Sequence, residues 1–163
     1  MRWLYLVVTI LVLSSFEFIA MSHGSGPDIL LILTVFLALN APLEYALVGA
    51  WLSGLFSEVV GGQAGHDHIG VLVFLFTFFA WLLVRNRQKL FTEHWLTRTL
   101  IVAIVSLLCA LGEVATIYFE TDQWIGWEAW SRVFQDVLYT TIFSIPLILL
   151  FGWVKRIFAG RRA

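Results

Sequence analysis

The stretch ALVGAWLSGLFSEVVGG at residues 46–62 decides the fold class. Ala46, Ala50, Gly54, Glu58 and Gly62 recur every four residues, and Gly49, Ser53, Ser57 and Gly61 form the adjoining row. At helical spacing these rows lie side by side, so one face of the segment is nearly flat. Such a face lets a second helix backbone come close, which is how helices associate in lipid, where apolar surface alone favours no partner. A carboxylate at the end of that face is costly to bury and has to meet a partner, a cavity or the headgroup region. The segment reads as a membrane helix built for close helix contact, through Ala50, Gly54, Glu58 and Gly62.

The whole chain has the same character. In 163 residues, 60% are apolar and 13% charged, and the mean hydropathy is +0.89, which excludes an ordinary soluble domain. The expectation is an all-α integral membrane protein forming one transmembrane domain over residues 1–163. Apolar periodicity marks six spans, at roughly 3–21, 28–41, 44–60, 69–84, 99–119 and 134–154. The second and third are short for a hydrocarbon core of about 30 Å. Pro42 separates them, because a residue preceding proline is pushed out of helical geometry, and they form a tight hairpin around residues 40–44. The turn over residues 61–70 is expected to dip into the membrane beneath covering protein. Arg2 ahead of an apolar run imitates a signal peptide, but Glu17 interrupts the run and no small-x-small cleavage site precedes Ser22. The first segment is therefore read as a retained helix.

Charge sets the orientation. Arg2, then Arg85, Arg87, Lys89 and Arg98, then Lys155, Arg156, Arg161 and Arg162 all fall on one side of a six-span bundle. By the positive-inside rule that side is the cytoplasm, which places both termini there and makes the chain a multi-pass membrane protein. Arg132 falls opposite, beside Glu120, Asp122 and Glu128. Trp124, Trp127 and Trp130, spaced by three, indicate a short interfacial helix near residues 122–131.

Glu17, Glu58, Glu113 and Asp136 lie within or at the edges of the apolar segments. Ser14 accompanies Glu17; Ser106, Cys109, Ala110 and Thr116 accompany Glu113; Thr140 and Ser144 accompany Asp136. These polar stripes are expected to face the bundle interior as glue between helices rather than as a proton path. His66-Asp67-His68, with His23, is an incomplete ligand set and is read as a solvated turn, so no metal or cofactor is expected. Ser53-Gly54 has no histidine placed to activate it and no G-x-S-x-G elbow, so no enzymatic role is expected. The single cysteine, Cys109, excludes an intrachain disulfide, and the sparse basic residues at helix ends give no nucleic-acid footprint.

The order of features carries a resemblance. Pro27-Asp28 opens the second apolar segment; Gly49-x-x-x-x-Gly54-Leu-Phe-x-Glu58-x-x-x-Gly62 follows, then Ile69-Gly70, a long apolar run and the basic break at Arg85. This order resembles the bacterial rod-shape-determining protein MreD family across nearly the whole chain, with an acid in the fifth helix, here Glu113. The family usually carries Asp where Glu58 stands, and the turn from Gly62 to Gly70 is longer here. The resemblance implies a non-enzymatic component of the elongasome, supporting peptidoglycan synthesis and regulation of cell shape. Its implied partners are an MreC-like protein and, through it, an MreB-like actin and a RodA-like glycan polymerase with its transpeptidase. The family is also similar in architecture to the substrate-binding component of energy-coupling-factor vitamin transporters. That similarity implies an alternative, a membrane subunit that binds a vitamin or other small molecule.

Overall fold

The computed structural model describes residues 2–21, 27–61, 70–88, 90, 94–121 and 126–160. Among them there are six helices and no strands: α1 (Arg2–Met21), α2 (Ile29–Asn40), α3 (Leu43–Gly61), α4 (Val71–Asn86), α5 (Trp95–Thr121) and α6 (Trp127–Gly160). Two of them, α5 and α6, are long and apolar enough to cross a membrane.

The hub of the bundle is its shortest helix. α2 has 12 residues and packs against each of the other five helices. Leu30, Leu31, Ile32, Leu33, Thr34, Val35, Ala38 and Leu39 are all buried, so apolar side chains surround the helix instead of forming one stripe. A helix that is apolar all round belongs in the centre of a fold. Its limits follow from local chemistry. Asp28 caps the start, its Oδ1 accepting from the Leu31 N–H at 2.7 Å, and Ala41 ends it in extended geometry at φ −98°, ψ 160°, directly before Pro42. α3 begins one residue after that proline, which gives the tight hairpin expected from the sequence.

Two boundaries differ from the sequence reading in an instructive way. α5 starts at Trp95 rather than near residue 99, and α6 starts at Trp127 rather than near 134. Residues 127–131, expected to form a separate interfacial helix, are the first turns of α6, whose 34 residues run without a break. The polar run Ser131-Arg132-Val133-Phe134-Gln135-Asp136 lowers hydropathy without containing any residue that ends a helix. Even Pro146 is accommodated inside α6. The turn expected at 61–70 and the histidines His23, His66 and His68 lie largely or wholly outside the described residues.

Candidate functional site

α3 and α4 form the closest helix pair, and the small-residue face explains why. A methyl group added at Gly54 would stand 2.6 Å from Val73 Cα, 3.0 Å from Val73 N and 3.1 Å from the Leu72 carbonyl oxygen. Backbone therefore lies against backbone, and only glycine fits. Ala46, Ala50 and Ser53 are fully buried on the same helix, and Ser57 nearly so. The face expected to receive a partner is thus packed within the chain itself, with Gly54 against its own α4. Gly62, the last member of the row, lies outside the described residues.

One turn beyond Gly54, Glu58 reaches the start of α4. Its Oε1 accepts from the N–H groups of Gly70 at 2.8 Å, Leu72 at 2.8 Å and Val73 at 3.4 Å, and its Oε2 accepts from Gly70 at 2.9 Å. The first N–H groups of a helix have no partner within the helix and carry partial positive charge. Gly70 precedes α4 at φ 123°, a conformation that other residues adopt only with strain, and offers no capping side chain. Glu58 supplies the missing acceptor from the neighbouring helix. Gly54 and Glu58 therefore hold the same turn of α4, one by lacking a side chain and the other by charge.

Glu17 repeats the device one hairpin earlier. It is fully buried near the end of α1, and its Oε2 accepts from the Leu30 N–H, in the first turn of α2, at 3.0 Å. In both cases an acid near the end of one helix clips the first turn of the next helix in the chain. α2 is held further by α6, where Thr140 Oγ1 accepts from the Asp28 N–H at 3.0 Å. At its other end the Arg87 guanidinium donates to the Ala41 carbonyl at 2.8 Å. Helix ends leave carbonyls without intrahelical partners, and a cation there also opposes the negative end of the helix dipole. The central helix is thus pinned at both ends by side chains from α1, α4 and α6.

The remaining acids are placed less uniformly. Asp136 is half-buried on α6, whereas Glu113 is exposed on the surface of α5. The expected interior stripe holds for Ser14, Ser106, Cys109, Thr140 and Ser144, which are all buried, but Glu113 departs from it. Among the described residues α5 packs against α6, α4 and, least, α2. Below Glu113, Gly112 still packs closely, its hypothetical Cβ lying 2.8 Å from Leu75 Cδ1.

Sequence reading missed Asp28 and Arg87 as structural residues. Asp28 carried a signal, since an acid directly before an apolar helical run is a capping pattern. Arg87 carried none beyond its charge, because its acceptor lies across the bundle. Chemically, Glu58 has both oxygens committed to backbone donors, whereas Glu17 has one oxygen committed and one without a partner. Among the described residues no cluster of three or more His, Cys, Asp or Glu could hold a metal ion. The chain matches no family model, no curated protein and no solved structure.

Proposed function

We propose that this chain is a six-span, non-enzymatic inner-membrane component of a cell-elongation complex, with both termini in the cytoplasm. In this reading it supports lateral peptidoglycan synthesis and cell shape by binding an MreC-like partner, and through it an MreB-like actin and a RodA-like polymerase. The observation that carries the reading is the fit between the MreD-like motif and a structural task. Gly54 and Glu58, the residues that make the motif distinctive, are the ones that hold the first turn of α4. The motif thereby fastens α3 to α4 beside the central α2. The contact with the partner falls to surfaces that the chain leaves open, such as the apolar side of α5 and α6 with Ile104, Leu108, Leu138 and Ile142.

The test is co-purification. The tagged chain, extracted in mild detergent from its own cells, should bring down an MreC-like protein, and its depletion should round the cells. Recovery of a transport ATPase with its membrane coupling subunit, and no MreC-like protein, would favour the vitamin-transporter alternative and sink the present reading.

A further inference from the structure

The exposed side of α4 carries a row of rings that ends on a cation. Phe74, Phe78, Trp81 and Arg85 follow one another at spacings of four, three and four, so they share one face of the helix. Buried Phe76, Ala80 and Leu83 occupy the opposite face, against the bundle. The row is continuous in space. Ring centroids lie 6.0 Å apart from Phe74 to Phe78 and 6.3 Å from Phe78 to Trp81, and the Arg85 guanidinium carbon stands 5.2 Å from the Trp81 centroid. Phe79 flanks the row edge-on, 5.6 Å from Phe78. The three rings of the row are 67%, 44% and 39% exposed, and Arg85 is exposed as well, so the whole row stands open.

Three properties of the row indicate what it fits. It is built of large rings, whereas helices that associate in lipid need small residues that let backbones approach, as at Gly54. The row therefore suits a flexible chain better than a second helix. From Phe74 to Arg85 the helix rises about 16 Å, about half of a hydrocarbon core of about 30 Å, which is the depth of one leaflet. Its charge, finally, sits at one end. Trp81 and Arg85 are residue types that settle at the headgroup level, the indole by its amphipathic ring and the guanidinium at the end of an apolar stem. Stacking on Trp81 engages the face of the guanidinium and holds the group in place. Its N–H donors lie in the plane of the group, in the fork that a phosphate accepts from two at a time. Arg87, two residues on, is committed instead to the Ala41 carbonyl.

We propose that the α4 row is a binding site for one anionic phospholipid, with the phosphate on Arg85 and an acyl chain along Trp81, Phe78 and Phe74. The inference rests on the chain lying in a membrane and not on the cell-shape reading. It is tested by native mass spectrometry of the purified full chain in detergent, titrated with dioleoyl phosphatidylglycerol or dioleoyl phosphatidylcholine. The two lipids share their acyl chains and differ in net charge. One phosphatidylglycerol should bind about tenfold more tightly than phosphatidylcholine, equivalent to about 1.4 kcal/mol. Arg85→Gln should erase that preference, and Arg132→Gln, on α6 at the other end of the bundle, should leave it intact. Phe78→Ala should weaken both lipids by a similar factor and keep the preference, since it removes acyl contact and not charge. Equal binding of the two lipids to the wild type, as for ordinary solvating lipid, would overturn the proposal. So would a preference that survives in Arg85→Gln, or a dimer of the chain that Phe78→Ala dissociates and phosphatidylglycerol does not. A chain that stays monodisperse without detergent would overturn it together with the membrane placement.

Discussion

Replacing Gly54 by alanine adds one methyl group and probes the α3–α4 contact directly. The new Cβ would lie 2.6 Å from Val73 Cα, whereas ordinary contact begins near 3.4 Å, so the helices must separate locally by about 0.8 Å or bear the overlap. Bearing it costs about 1–3 kcal/mol, the usual range for overpacking a close contact. Separating instead stretches the Glu58 bonds to Gly70 and Leu72 from 2.8 Å to about 3.6 Å, beyond hydrogen-bond range. Hydrogen bonds to a charged group contribute about 1.5–3 kcal/mol, so this escape is no cheaper. For a chain of this size a loss of about 2 kcal/mol lowers the melting temperature by about 4–8 °C. Cys109 provides the assay: it is the only cysteine, it is 4% exposed, and a thiol-reactive dye reports its exposure on heating. The two effects should also couple. In a Glu58→Gln background, where the clip is already weakened, Gly54→Ala should cost at least about 0.5 kcal/mol less than in the wild type. A wild-type melting temperature for Gly54→Ala, or strict additivity with Glu58→Gln, would refute the reasoning.

Gly112→Ala should be tolerated, shifting the melting temperature by under about 3 °C, because its Cβ meets the movable Leu75 Cδ1 and not backbone. Glu58→Leu should destabilise by about 2–4 kcal/mol, since it removes the acceptor for three N–H groups, and Glu58→Asp should fall between it and the wild type; dye-monitored unfolding ranks the three. Arg87→Met should cost about 1–2 kcal/mol by leaving the Ala41 carbonyl without its donor, with faster amide exchange confined to the end of α2 and the start of α3.

The sequence made the helical class, the number of apolar segments and the α2–α3 break legible, because periodicity and Pro42 are local signals. It also marked Gly54 and Glu58 as a unit, and Glu58 does fix the position of Gly70 at the start of α4. It did not reveal that the flat face is filled by α4. A small-residue stripe states that a backbone comes close, not whose backbone it is. Nor did it show that the clip recurs at Glu17, because sequence spacing alone does not specify which N–H of the next helix an acid reaches. The separate interfacial helix failed for a related reason: Trp127 and Trp130 state a preference for an interface but contain nothing that stops a helix, so α6 runs on from Trp127 without a break.

Amide hydrogen exchange on the intact protein tests the central claim most directly, since the account assigns each buried acid to one particular helix start. Glu58→Gln should lose protection at Gly70, Leu72 and Val73 while Leu30 keeps its own, and Glu17→Gln should lose protection at Leu30 while the start of α4 stays protected. Protection at both helix starts that is unchanged in both variants, or lost evenly along the whole chain in either, would contradict it.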